Sequence, residues 1–252
     1  MFALPYFLVR NYLEKTGRYW ELDLLRGVAV IAMVVFHLLF DLNYFAGQAF
    51  NLNSGLWFAI GRLSGIAFIF LVGVSLTLSY SRLLGQTEKQ IKSKFLKRGF
   101  KIFLYGMAIT AFTLLAFPRE TILFGVLHLI GLSIILSVPF LKLKRENLFL
   151  GAALVVLGLF LSTIGFDFPW LLWLGLPPAG FITFDYFPLL PWFGLVLLGI
   201  FFGKQFYPQG KRKETGDFSN NLFGRALCFL GRNSLPIYFL HQPIIVAIIL
   251  LI

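Results

Sequence analysis

Apolar runs long enough to cross a bilayer recur from residue 23 to residue 252, and they leave little room for another architecture. The hydrocarbon core needs about 20 consecutive, predominantly apolar residues in a helix. Between Leu24 and Phe40 only Arg26 and His37 break such a run. Comparable segments lie at 55–80, 95–117, 121–141, 148–164, 186–206 and 234–252. With 23–45 they predict an all-α polytopic transmembrane helix bundle of about seven spans. The stretch 169–176 is too short to cross. Only 13% of the 252 residues are charged, against about a quarter in a soluble domain. No Gly-, Ser- or Pro-rich linker divides the chain, so 1–252 reads as one integral membrane domain.

The basic residues give an orientation. All but Arg26, Arg62 and Arg119 of the 22 Lys and Arg residues fall before the first span or in alternate loops. The first group is Arg10, Lys15 and Arg18; the last includes Lys211, Arg212 and Lys213. By the positive-inside rule this predicts a cytoplasmic N-terminus and an outer C-terminus. The same rule, with anionic lipid headgroups, accounts for the net charge of +11 without nucleic acid. A prokaryotic inner or plasma membrane is the expected location. The lone cysteine, Cys228, excludes an intrachain disulfide.

Ionisable groups inside spans are costly and therefore informative. His37 and Asp41 are four residues apart, which puts them on one face of the first helix. An imidazole with a carboxylate one turn away suits a general base and its orienting partner. A structural tie between helices is the competing reading. Arg62, two turns into the second span, matches their depth and is expected to pair with Asp41 or to clamp a substrate. His128, Asp185 and His241 are the remaining candidates, on the acceptor side. For His128 the alternative is a helix–helix hydrogen bond. Asp185 could cap the helix that Tyr186 begins. His241, before Gln242 and Pro243, reads more readily as structural. Lys94, Lys97, Arg98 and Lys101 recur at helical spacing where the third span begins. Headgroup contact explains them; so does docking of a polyphosphate such as coenzyme A, with Arg26 contributing. Metal spacings, Gly-rich phosphate loops and the Gly-x-Ser-x-Gly elbow do not occur.

The segments Glu21-Leu22-Asp23-Leu24-Leu25-Arg26-Gly27 with Met33-Val34-Val35-Phe36-His37, Phe68 through Ser75, Asp185 through Gly194 and Leu230 through Pro243 resemble membrane acyltransferases. The resemblance covers nearly the whole chain. It is closest to the bacterial group related to the catalytic domain of heparan-α-glucosaminide N-acetyltransferase. The lysosomal enzyme has Asn where His37 falls, and residues 41–54 hold no counterpart to its outer-loop His. The resemblance implies acyl transfer from cytoplasmic acetyl-CoA or another acyl-CoA, without a metal, to a sugar or other hydroxyl or amine acceptor at the outer side. His37 would be the base, Asp41 its orienter, and Arg62 the group that holds the acceptor or neutralises the oxyanion. Membrane lipids and a small-molecule or glycan acceptor are the expected partners, and assembly as a homo-oligomer is compatible with this reading. A proton-coupled transporter or flippase built on His37, Asp41 and Arg62 is the alternative, and a non-catalytic membrane assembly protein is a third.

Overall fold

A computed structural model describes residues 19–164, 166, 168–211 and 221–251. Arg10, Lys15, Arg18, Arg212 and Lys213, used above for orientation, lie outside the described residues. Among those described, regular structure is entirely helical: α1 (Trp20–Ala46), α2 (Gly55–Ser81), α3 (Glu88–Ala116), α4 (Val126–Leu136), α5 (Glu146–Leu161), α6 (Leu189–Phe206), α7 (Leu222–Arg232) and α8 (Ser234–Leu251). Short 3-10 turns occur at Pro139–Leu141, Pro169–Leu174 and Pro208–Gly210. The chain forms two compact units, Met1–Phe68 with Glu214–Ile252, and Ile69–Lys213. The boundary between Phe68 and Ile69 falls inside α2, which contributes residues to both units.

Helices α1, α2, α3, α6 and α8 are long and apolar enough to cross a membrane, whereas α4 has 11 residues and α5 has 16. The sequence merges 121–141 into one span because mean hydropathy does not register where a helix begins or ends. Gly125 is extended at the α4 N-cap, and Pro139 opens the 3-10 turn that follows. The amphipathic helix α7 replaces an expected loop.

In the first unit, α1 packs against α7 and α8. Helix α1 ends where Gly47 takes a left-handed φ of 66°, and its N–H bonds the Leu42 carbonyl. Asn43 then closes the following loop with paired bonds to the Phe50 carbonyl (2.7 Å) and N–H (2.8 Å). The α1–α7 contact is nearly backbone on backbone. A Cβ on Gly27 would overlap the Leu227 carbonyl, and one on Gly231 the Asp23 carbonyl. Small residues allow this approach, which strengthens helix packing where lipid supplies no hydrophobic drive.

In the second unit, α3 packs on α4 and α5 on α6. Its core holds Ile69, Phe95, Leu129, Ile134, Leu197 and Ile200. Glycine seams recur here: Gly99 and Gly131 between α3 and α4, Gly151 and Gly194 between α5 and α6. Thr77 Oγ1 donates within α2 to the Gly73 carbonyl (3.2 Å) and to Ile200 of α6 (3.3 Å). Lys204 Nζ reaches the Leu141 (2.5 Å) and Leu143 (2.7 Å) carbonyls, satisfying backbone acceptors where the 3-10 turn ends.

Candidate active site

The first unit brings together two histidines separated by 204 positions. His37 on α1 turns its Nδ1 back to the Met33 carbonyl, 2.9 Å away. His241 on α8 does the same, with Nδ1 at 2.8 Å from the Tyr238 carbonyl and 3.2 Å from that of Ile237. The rings meet at a centroid distance of 4.9 Å and 61° between planes, with His241 Nε2 at 3.3 Å from His37 Nδ1.

These contacts fix the protons of the neutral rings. A carbonyl oxygen only accepts, so His241 Nδ1 carries hydrogen and its Nε2 is a lone pair. His37 Nδ1 then faces two acceptors, the Met33 carbonyl and His241 Nε2. It must carry hydrogen, shared between them. The remaining nitrogen, His37 Nε2, holds a lone pair and has no hydrogen-bond partner among the described residues. It is the nitrogen equipped to take a proton. The orienting contact expected from Asp41 is made by His241 instead.

One helical turn along α1, Asp41 is 1% exposed. Its Oδ1 accepts from Gln242 Nε2 at 3.3 Å. Among the described residues neither Asp41 Oδ2 nor Gln242 Oε1 has a partner. Leaving such a buried group unmade costs about 1–3 kcal/mol, more for a charge. Gln242 is the residue the sequence reading missed. Its signal was adjacency to His241, since an uncharged amide does not stand out by ionisation.

Arg62 does not meet Asp41 as expected. It is exposed on α2, and its guanidinium lies over the Phe58 ring at 5.4 Å. Among the described residues it forms no ion pair. Depth matching along two helices does not set the direction each side chain faces, and Asp41 faces α8. Arg26 bonds Asp23 on its own helix at 3.2 Å.

His128 and Asp185 belong to the second unit. His128 is 1% exposed, between the Phe103 and Phe124 rings. Its Nδ1 accepts from the Gly125 N–H at 3.2 Å, so Nε2 carries the hydrogen and donates to Thr110 Oγ1 at 3.3 Å. Thr110 Oγ1 in turn donates to the Ile122 carbonyl at 2.5 Å. Both ring nitrogens are engaged, and the ring ties α3 to the start of α4. Asp185 Oδ2 accepts from the Val126 N–H at 2.9 Å. It therefore caps α4, not the helix after Tyr186, and a carboxylate is favoured at that positive end. That carboxylate oxygen is committed to the start of α4.

Lys94, Lys97, Arg98 and Lys101 are all exposed on α3. A capping box between Thr87 and Gln90 starts that helix, with bonds of 3.0 and 3.3 Å. An open groove of about 510 Å³ runs along its first turns, lined by Glu88, Lys89, Lys92, Ser93, Leu96 and Lys97. Lys97 thus joins Lys89 and Lys92 in the groove, while Lys94, Arg98 and Lys101 do not line it. Glu88 bonds both Lys92 and Lys142 at 3.1 Å. No group of three or more His, Cys, Asp or Glu suited to a metal occurs among the described residues.

Apolar helices of membrane-spanning length, with a partly buried imidazole pair between α1 and α8, define an all-helical membrane protein carrying a candidate proton-transfer site. The chain matches the family Heparan-alpha-glucosaminide N-acetyltransferase, catalytic, over residues 18–243, and it belongs to that family. The matched region contains His37, Asp41, His241 and Gln242. No curated protein and no solved structure matches the chain.

Proposed function

We propose that the chain moves an acetyl or related acyl group from an acyl-CoA thioester to an amine or hydroxyl of a sugar-type acceptor, with His37 as general base. The observation that carries this reading is the unengaged Nε2 of His37, beside an Nδ1–H committed to Met33 and His241. As the acceptor nitrogen or oxygen attacks the acyl carbon, its proton passes to Nε2. The new C–N or C–O bond forms, the C–S bond breaks, and the thiolate leaves with the proton that His37 returns. The imidazolium formed in between keeps its Nδ1–H bonded to a carbonyl and a neutral imidazole, both of which favour positive charge. Family membership supports the acetyl transfer.

The donor's phosphates are assigned to the basic end of α3, where Lys89, Lys92, Ser93 and Lys97 line a groove and Lys94, Arg98 and Lys101 add charge nearby. Arg26, already bonded to Asp23, is not needed there. Lys and Arg bias supports a cytoplasmic position for this end, with α8 ending outside. That orientation needs seven crossings. An 11-residue α4 rises only about 16 Å, short of a core about 30 Å thick. Residues 121–125 would supply part of the remainder. Irregular backbone is tolerated at membrane depth when buried in protein, and Thr121, Phe124 and Gly125 are buried. Thr183 donates to the Thr121 carbonyl, and Phe187 N–H bonds that of Phe124.

The test uses the full chain in detergent with acetyl-CoA and glucosamine, following acetylglucosamine and free thiol. His37→Ala is expected to lose at least about 100-fold in kcat and to keep the thermal stabilisation given by acetyl-CoA. Undiminished transfer by this variant overturns the reading.

A further inference from the structure

We infer that Asp41 Oδ2 and Gln242 Oε1 together form the docking point for the hydrogen-bond donors of the acyl acceptor, one turn from the base. The two side chains are already joined through Asp41 Oδ1 and Gln242 Nε2, so each keeps one further oxygen as an acceptor. Both oxygens are buried and unpartnered among the described residues. With Asp41 ionised, neither can satisfy the other. Natural structures seldom leave one buried polar atom unpaired, and here a carboxylate oxygen and an amide oxygen are unpaired on adjoining groups.

What completes the pair must bring N–H or O–H groups. A phosphate or a thioester carbonyl offers acceptors only and would be repelled, which excludes the phosphates and acyl carbonyl of the donor. An ammonium, or an amine beside a hydroxyl, supplies two donors from one small group. The location fits that role. Asp41 follows His37 by four residues, about 6 Å of helix rise, and Gln242 is the immediate neighbour of His241. An acceptor held by one polar group at Asp41 and Gln242 presents a neighbouring nucleophile toward His37 Nε2. Asp41 thereby becomes a specificity residue for acceptors rich in donors. This rests on the reading of His37 as the base, and the experiment separates the two.

Full-length protein in detergent is assayed for thermal stabilisation by glucosamine alone, and for acetyl transfer to glucosamine from saturating acetyl-CoA. Wild type, Asp41→Asn, Gln242→Leu and His37→Ala are compared. Glucosamine is expected to stabilise wild type and His37→Ala. Its stabilisation should disappear in Asp41→Asn and Gln242→Leu, whose glucosamine KM should rise tenfold or more with kcat within about threefold. Asp41→Asn keeps the shape of the residue and can bond Gln242 as an amide pair, so it controls for folding. If glucosamine gives no stabilisation in wild type, or stabilises Asp41→Asn equally, the inference is overturned. The second result would identify Asp41 and Gln242 as a protonated acid–amide pair that only joins α1 to α8. Retained kcat in His37→Ala instead overturns the base assignment, whatever the docking result.

Discussion

Nε2 of His241 lies 3.3 Å from Nδ1 of His37 and, together with the Met33 carbonyl, accepts the hydrogen that Nδ1 carries. This contact holds the His37 ring in the tautomer that leaves Nε2 open. His241 therefore acts on the reaction through another residue, as a positioning group. Replacing His241 by Ala is expected to lower kcat about 10- to 100-fold, in the range found when an outer partner of a functional imidazole is removed, with little change in acceptor KM. His241→Gln, which can offer an oxygen to Nδ1, should recover part of the loss. Equal damage by both variants would count against the tautomer argument.

Thr110→Val tests the structural reading of His128. The valine leaves the buried Nε2–H of His128 without its acceptor, at a cost of about 1–3 kcal/mol. The unfolding temperature in detergent should drop by several degrees, and kcat and KM should stay near wild type. A raised acceptor KM at unchanged stability would put His128 at the substrate site.

A glycine of the α1–α7 seam contrasts with one in an open turn outside it. At Gly231 a methyl group meets the Asp23 carbonyl, so Gly231→Ala forces α1 and α7 apart and should destabilise by about 1–3 kcal/mol. At Gly180 nothing lies within 4 Å and only the positive φ of 75° opposes a side chain. Gly180→Ala should cost about 1–2 kcal/mol through backbone strain alone. Gly231→Ala should also lower kcat, since Asn233 alone separates α7 from the helix carrying His241. Thermal unfolding and turnover measured together decide this, and an unaffected kcat would detach α7 from the site.

Donor docking is tested by two triple substitutions on α3. Lys89, Lys92 and Lys97 changed together to Gln should weaken acetyl-CoA binding tenfold or more and flatten its salt dependence. The corresponding change of Lys94, Arg98 and Lys101 should have a smaller effect. The reverse ranking moves the donor to the other face of α3, and no effect from either removes it from this helix.

Much of the fold was legible in apolar run length, which located α1, α2, α6 and α8 within a few residues and α3 except for its polar start, Glu88 through Lys94. Composition hid α4 and α7 for opposite reasons. The first is a short helix inside a longer apolar segment, bounded by Gly125 and Pro139. The second is amphipathic, its Arg225 and Arg232 resembling loop charges. In the candidate site, spacing along one helix correctly put His37 and Asp41 on one face. Partners from other helices were not accessible that way. Gln242 lies 201 positions from Asp41, and Arg62 matches it in depth while facing elsewhere. Ion pairing is easily imagined from a list of charges. A neutral amide bonded to a carboxylate, or two imidazoles sharing one hydrogen, requires the third dimension.

Both histidines take their proton pattern from carbonyls of their own helices, those of Met33, Ile237 and Tyr238. These oxygens belong to the main chain, which mutation leaves in place as long as the helix persists. The lone pair on His37 is consequently insulated from most side-chain change around it. Asp41 and Gln242 have no such protection, because one substitution at either alters what their oxygens offer. A lineage could exchange one acceptor for another at those two positions while inheriting an unaltered base.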